Sequence, residues 1–167
     1  MSDLKQASFW VGQLCIIVAT VLGVFLAASQ GFKQAMMFDD ATTTQSNYYL
    51  RKSLSGELAA NLGHIEVFAD KVARQVDKPE LVLDTFVWES MTYSRNALET
   101  PSDLLAEAQN FYRTVNEIMT TSYYNNTKRV ELLRELSAHI KDNVLPRFER
   151  DMEGLRQKLG GYNLQVS

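Results

Sequence analysis

The stretch from Phe9 to Ala28, FWVGQLCIIVATVLGVFLAA, decides the fold of this 167-residue chain. It contains no charged residue, and Gln13 and Thr20 are its only clearly polar members. A helix of this length rises about 1.5 Å per residue and spans about 30 Å, which is the thickness of the bilayer hydrocarbon. The stretch therefore predicts a single transmembrane helix, which we place at residues 8–29.

Three alternative interpretations of this segment predict no membrane-spanning helix. Residues 26–29 offer a cleavage point for a signal peptide, but the apolar run exceeds the usual hydrophobic region of about 7–15 residues. Cys15 lies too deep in the run for a lipoprotein anchor, and residues 12–14 do not resemble a lipobox. A buried core helix is rarely this long and this uniformly apolar. The transmembrane helix is the favoured interpretation.

Small residues recur at every fourth position of this predicted helix. They form a ridge that we call the small-residue ridge: Cys15, Ala19, Gly23, Ala27 and Gly31. Such a ridge lets a second membrane helix approach closely, so it predicts packing against another copy or against a larger membrane protein. The alternative stays open that the ridge reflects only the high frequency of small residues in membrane helices.

The charges flanking the apolar run give the predicted orientation. Lys5 and the α-amine stand against Asp3 on the N-terminal side, whereas Lys33 is soon followed by Asp39 and Asp40. Because positive flanks stay in the cytoplasm, this balance favours a cytoplasmic N-terminus. The remaining domain is then expected outside the cytoplasm.

The composition of the rest of the chain excludes several classes of function. The whole chain carries 17 basic and 20 acidic residues, and Asp3 and Lys5 cancel, so the part after the membrane segment has the full net charge of −3. This acidity argues against nucleic-acid binding, which depends on concentrated Lys and Arg. The single cysteine, Cys15, lies in the apolar run, which rules out an intramolecular disulfide and a thiol nucleophile elsewhere.

Hydrophobic periodicity predicts an all-α domain. We divide the chain into an N-terminal flank (1–7), the membrane helix (8–29), a juxtamembrane segment or linker (30–46), a helical bundle (47–160) and a C-terminal tail (161–167). Residues 39–46 are small and polar and fit either a linker or the start of the next helix. That helix has an apolar stripe at spacings of three and four and ends near Pro79: Leu50, Leu54, Leu58, Leu62, Ile65, Phe68 or Ala69, Val72 and Val76.

The second half of the chain predicts three further helices. Residues 80–98 are ambiguous, because 81–83 and 86–88 fit a strand as well as a helix, but an isolated strand would have no partner in this sequence. We therefore favour a short helix that begins near Asp84 or Thr85 and turns Trp88 and Met91 inward, with Val87 as a third candidate. The next begins at Thr100, as N-cap, with Pro101 in the first helical position. Its wide apolar face is Leu104, Leu105, Ala108, Phe111, Tyr112, Val115, Ile118 and Met119.

The last helix runs from Lys128 to Leu159, after an Asn126 or Thr127 cap. Pro146 should kink it, because proline cannot donate to the carbonyl of Asp142. Its apolar stripe is Val130, Leu133, Leu136, Ile140, Val144, Phe148, Met152, Leu155 and Leu159. Charged pairs one turn apart, Arg147 with Asp151 and Glu153 with Arg156, indicate a solvated face. Together the segments predict an antiparallel bundle of about three to four helices.

Few residues in the bundle are candidates for chemistry. Glu57, Asn61 and His64 share one helix face and could bind a metal or move a proton. The alternative, which we favour, is a polar seam in which Glu57 and Asn61 bond to the backbone or to a neighbouring helix. His139 is expected to be a partly buried packing residue. We therefore predict no catalytic residue, no metal site and no cofactor.

Three short motifs resemble those of a group of bacterial membrane proteins. They are Val21-Leu22-Gly23-Val24 in the apolar run, Glu57-Leu58-Ala59-Ala60-Asn61 in the next helix, and the Thr-x-x-Trp-Glu stretch from Thr85 to Glu89. The resemblance implies a bacterial membrane protein with one N-terminal anchor, and it carries over no activity.

The expected function is that of a non-enzymatic accessory or interaction subunit in a bacterial inner-membrane complex. The membrane helix would contact the bilayer and either a larger membrane protein or a second copy of itself. The alternative is a sensor-like bundle in which Trp88, Phe111 and Tyr112 line a cavity for a small ligand and a partner transmits the signal.

Overall fold

The structure is a computed structural model that describes the backbone of residues 2–164 and of residue 166. All regular elements among these residues are helical, which confirms the all-α prediction. The α-helices are α1 (Ser2–Ala73), α2 (Phe86–Thr92), α3 (Ser102–Thr120), α4 (Asn126–His139) and α5 (Leu145–Gly160). A 3₁₀ helix (Arg95–Glu99) follows α2, and a π-helical turn (Ile140–Val144) joins α4 to α5.

The chain forms two compact units, Met1–Thr42 and Thr43–Ser167. The first unit consists of the N-terminal part of α1, which is long and apolar enough to cross a membrane, with a mean hydropathy of 2.4 in its most apolar window. None of that window is buried inside the protein. This exposure excludes the buried core helix that the sequence left as an alternative.

Residues 30–46 are helical throughout and belong to α1. The small polar residues that suggested a linker therefore do not interrupt the helix. Thr42 donates its hydroxyl proton to the carbonyl of Phe38 at 2.8 Å, which satisfies this side chain within the helix. Thr44 and Tyr48 are buried in the second unit, so tertiary contacts stabilise helical residues whose intrinsic propensity is low.

The core of the second unit is built from the predicted apolar stripes. Its buried members are Leu54, Leu58, Ile65 and Phe68 of α1, Met91 of α2, Leu104, Ala108, Phe111, Val115 and Ile118 of α3, Leu133 of α4, Ile140 and Val144 of the π turn, and Phe148 of α5. Leu50, Leu62, Val72 and Trp88 pack against this core and are partly buried. The bundle prediction is thereby confirmed.

The end of α1 explains why one predicted stripe residue is exposed. Val76 is 47% exposed, because α1 ends at Ala73. Gln75 has a left-handed backbone with φ of 56°. The amide of Val76 donates to the carbonyl of Lys71 at 3.0 Å, and the amide of Gln75 donates to the carbonyl of Val72 at 3.0 Å. This pattern is a Schellman motif, with glutamine where glycine is usual.

Pro146 does disturb the last helix, as predicted. The disturbance takes the form of the π turn, in which the amide of Leu145 donates to the carbonyl of Ile140, five residues back. Proline then follows at the start of α5, where a missing N–H is tolerated.

Two predicted caps are displaced by one residue. Pro101, rather than Thr100, occupies the N-cap of α3. Asn125, rather than Asn126 or Thr127, caps α4 by accepting a bond from the amide of Lys128 at 2.8 Å.

Candidate functional site

Glu57 is the centre of a polar cluster between α1 and the segment that carries α2. Its side chain is buried and accepts bonds from the amides of Val87 at 2.5 Å and Trp88 at 3.0 Å. Tyr112 donates its hydroxyl proton to the same carboxylate at 2.6 Å. Because Val87 and Trp88 lie in the first turn of α2, Glu57 satisfies amides that the N-cap residue Thr85 leaves without a side-chain acceptor.

Asn61 fixes the residue that precedes this turn. Its side chain is fully buried, donates to the carbonyl of Asp84 at 2.7 Å and accepts from the amide of Asp84 at 2.7 Å. This two-point contact imitates the pairing of neighbouring β-strands. His64 lies one turn further along α1 and is exposed, with Nε2 3.3 Å from the carboxylate of Asp84. All three residues of the predicted seam therefore contact residues 84–88.

Tyr112 joins α3 to the same cluster. The pKa of the Tyr112 hydroxyl is raised, first by burial and second by the hydrogen bond to Glu57. The hydroxyl therefore stays protonated and acts as a donor. Its ring stacks on Trp88 with the ring centroids 5.5 Å apart. The cluster thus holds α1, α2 and α3 together through both polar and aromatic contacts.

Two further polar residues of α1 hold the other end of the segment. Asn47 donates to the carboxylate of Glu99 at 2.5 Å, and Arg51 donates to the carbonyl of Glu99 at 2.6 Å. Arg51 also forms an ion pair with Asp151 of α5 at 2.8 Å. Asn47 Oδ1 and Arg51 Nε have no hydrogen-bond partner among the described residues, so this end is less completely paired.

Neither Asn47 nor Arg51 was predicted as a functional residue, although their positions in the sequence indicate burial. Positions 47, 51, 54 and 58 follow one another at spacings of three or four residues. Asn47 and Arg51 are therefore in phase with the apolar stripe of α1. A polar residue at a stripe position is expected to be buried and to need a partner.

The structure corrects two predictions for the second half of the bundle. His139 is exposed rather than partly buried, and its Nε2 lies 3.2 Å from the carboxylate of Glu107. Arg147 does not pair with Asp151 within the helix but contacts Asp103 and Glu107 of α3. Contacts between helices replace the expected contact within one helix, because the carboxylates of α3 face Arg147. The pair of Glu153 with Arg156, at 2.9 Å, is confirmed.

The aromatic residues of the sensor hypothesis pack against one another. Phe111 is fully buried, and its ring meets Tyr112 edge to face with centroids 5.2 Å apart. Tyr112 is stacked on Trp88, which also borders a surface groove beside Met91. These side chains fill the interior between α1, α2 and α3.

The small-residue ridge lies on the exposed part of α1. All five residues of the ridge, Cys15, Ala19, Gly23, Ala27 and Gly31, are exposed. A methyl group added at Gly23 or Gly31 would meet no atom within 4 Å.

Chemically, the cluster around Glu57 and Asn61 fixes a segment in place. Among the described side chains, no group of three or more His, Cys, Asp or Glu residues could hold a metal ion. The side chains of Glu57, Asn61 and Tyr112 form hydrogen bonds with one another and with the backbone of residues 84–88.

No protein-family model, no curated protein and no solved structure matches this chain. The resemblance to bacterial membrane proteins therefore depends on the three short motifs. The structure brings two of these motifs into contact, since Glu57 of the second motif bonds to Val87 and Trp88 of the third.

Proposed function

We propose that this chain is a non-enzymatic accessory subunit of a bacterial inner-membrane protein complex. In this proposal α1 crosses the bilayer and packs against a larger membrane protein, while the bundle binds that protein outside the cytoplasm. The observation that carries the proposal is the apolar surface of α1, where Trp10, Phe25, Phe32 and Phe38 are each 67–75% exposed.

An apolar surface of this extent needs a cover. Exposing it to water is unfavourable by about 25 cal/mol per Å² of apolar area, and isolated soluble domains rarely tolerate such a patch. Lipid is the simplest cover, because the mean hydropathy of 2.4 suits the bilayer interior. The bacterial inner membrane is the setting that the motif resemblance implies.

The small-residue ridge supports a protein partner in addition to lipid. Its residues are exposed, and the space beside Gly23 and Gly31 is open. Helices in membranes associate where small side chains let their backbones approach. A ridge that repeats every fourth residue favours a right-handed crossing of the kind seen in small-xxx-small pairs.

The non-enzymatic part of the proposal is supported by how the buried polar side chains are used. Glu57, Asn61 and Tyr112 bond to one another and to the chain. A carboxylate that already accepts three hydrogen bonds has little capacity left to act as a general base.

Co-purification of the full-length chain tests this proposal. The tagged protein, made at its natural level, is extracted from native membranes with a mild detergent, and the proteins that accompany it are quantified. We expect one larger membrane protein in fixed stoichiometry, and we expect Gly23→Ile to reduce its recovery by about tenfold or more. The matched control is Ala28→Ile, which places the same side chain on the same helix about 140° around the helix axis from Gly23.

Two results would contradict the proposal. The first is recovery of the chain as a clean monomer or as an oligomer of itself alone. The second is equal loss of the partner in Gly23→Ile and Ala28→Ile, because the ridge would then have no special role.

A further inference from the structure

Four buried polar side chains of α1 form hydrogen bonds with one segment of the chain. Asn47 and Arg51 hold Glu99, Glu57 holds the first turn of α2, and Asn61 holds Asp84. The segment 84–99 is thus pinned at both ends by groups that are costly to bury. A hydrophobic stripe alone would pack α2 without fixing its position so closely.

The outward side of this segment exposes large apolar side chains. Phe86 is 79% exposed and Tyr93 is 92% exposed, and their separation of seven residues places them on one face of α2. Leu98 is 89% exposed and Val82, just before the segment, is 69% exposed. On the opposite face of α2, Met91 is 1% exposed and packs in the core.

The charge of the chain is concentrated in the same place. Residues 80–99, which we call the acidic platform, contain four acidic residues, Glu80, Asp84, Glu89 and Glu99, and one basic residue, Arg95. The acidic platform therefore has a net charge of −3, which equals that of the whole chain. All other residues together are electrically balanced.

We propose that the acidic platform is a docking site for a partner protein that presents an apolar pocket rimmed by Lys and Arg. This inference rests on the proposed accessory function and names the surface and the partner chemistry for it. Phe86 and Tyr93 are the anchors, since aromatic residues dominate the binding energy of protein interfaces. Glu80 and Glu89 supply charges that complement a basic rim and steer the encounter.

The charge of the acidic platform favours this occupant over two others. The anionic lipids of a bacterial inner membrane give its surface a negative potential, which would repel residues 80–99. A second copy of the chain would bring an identical negative surface against the first, which is unfavourable at short distance. A basic partner gains from the same charge.

The buried polar contacts make the aromatic anchors ready for binding. Fixing a loop before association lowers the entropy that binding must otherwise overcome. Glu57 and Asn61 fix the start of α2, so Phe86 and Tyr93 are presented without a further folding step. This role explains why α1 buries polar groups beneath a surface on which Phe86 and Tyr93 are exposed.

Photocrosslinking in native membranes tests the inference on the full chain. Benzoylphenylalanine replaces Phe86 in one sample and Tyr123, an 82%-exposed residue between α3 and α4, in the control. We expect a single protein adduct from position 86, whose cross-linked peptide contains Lys or Arg beside apolar residues, and none from position 123. The double variant Glu80→Lys/Glu89→Lys should lower the adduct yield by about tenfold or more, whereas Glu135→Lys/Glu149→Lys, with the same change of charge elsewhere, should not.

Other outcomes overturn the inference. Adducts only to lipid would assign the acidic platform to the membrane surface. Adducts only to another copy of the chain would assign it to self-association. Equal adduct yields at positions 86 and 123 would mean that the surface is not selective. A partner peptide without basic residues, or no adduct, also overturns it. If position 86 fails while the partner still co-purifies through the ridge, the accessory function survives; if co-purification fails as well, both fail. Circular dichroism of each variant verifies that the bundle is folded.

Discussion

Two parts of the same helix differ in which side chains they expose and which they bury. In the first part of α1, from Trp10 to Phe38, large apolar side chains are exposed. In the second part, Asn47, Arg51, Glu57 and Asn61 are buried. Both parts are helical, so helical structure does not determine which side chains are buried. The groups that pack against each part determine it. For the four polar side chains of the second part, the group that packs against them is the segment 84–99 of the same chain.

The comparison predicts that the two parts respond to mutation in opposite ways. Truncating a buried polar side chain of the second part leaves its donors or acceptors unsatisfied, at about 1–3 kcal/mol for each neutral group. Truncating an exposed apolar side chain of the first part leaves nothing unsatisfied in the bundle.

Glu57→Ala should produce the largest loss of stability. It removes the acceptor of the Val87 and Trp88 amides and of the Tyr112 hydroxyl, so we expect the free energy of unfolding to fall by about 3–5 kcal/mol. Urea unfolding of the full chain in detergent, followed by circular dichroism, measures it.

The control for this variant is Glu66→Ala on the same helix. Glu66 is 59% exposed and lies 3.7 Å from Arg134, so its truncation should change stability by less than about 0.5 kcal/mol. A loss below about 1 kcal/mol in Glu57→Ala would show that the buried carboxylate does not hold α2.

Asn61→Ala should have a smaller but localised effect. It removes both bonds to the backbone of Asp84, and we expect a loss of about 2 kcal/mol. Hydrogen exchange of the Asp84 amide should quicken more than that of amides in the middle of α3. Asn61→Asp keeps the acceptor but loses the donor and should restore only part of the protection; unchanged exchange in both variants would contradict the assigned contact.

Tyr112→Phe should cost about 1 kcal/mol at pH 7, because it removes one donor from Glu57 while keeping the aromatic stack on Trp88. It should also change the pH dependence. The pKa of Tyr112 is raised in the folded state, so its contribution is complete below the unfolded value of about 10 and is lost as the pH rises further. The difference between wild type and variant should therefore stay constant up to about pH 9 and shrink as the pH rises past about 10. A difference that stays constant at higher pH would show that the hydroxyl does not titrate with unfolding.

The sequence predicted the apolar part of this architecture well. The stripes of α1, α3 and the last helix follow the helical period, and their members are buried, as Leu58 and Phe111 are, or partly buried, with Val76 as the exposed exception. Residues 39–46 were ambiguous because low propensity and tertiary burial act in opposite directions. The burial of Thr44 and Tyr48, which only the folded chain reveals, decides in favour of helix.

The polar contacts were predictable only in part. The spacing of Glu57, Asn61 and His64 showed that they share a face, but it could not show that Asp84, Val87 and Trp88 are their partners. Contacts between distant segments are set by the packing of the connection after α1, which has no periodic signal. The same reason explains why Arg147 pairs with Asp103 and Glu107 of α3 rather than with Asp151.

The smallest expected effect is that of Gly23→Ile on the stability of the bundle. The new side chain meets no atom of this chain within 4 Å, so the unfolding transition of residues 43–167 should shift by less than about 0.5 kcal/mol. The same variant is expected to reduce recovery of the membrane partner. A stable bundle together with a lost partner would separate the two parts of α1 completely: the first part makes contacts between proteins, and the second makes contacts within one. If Gly23→Ile instead destabilised the bundle by as much as Asn61→Ala, the exposed part of α1 would have a cover within this chain, and the contrast between the two parts would not hold.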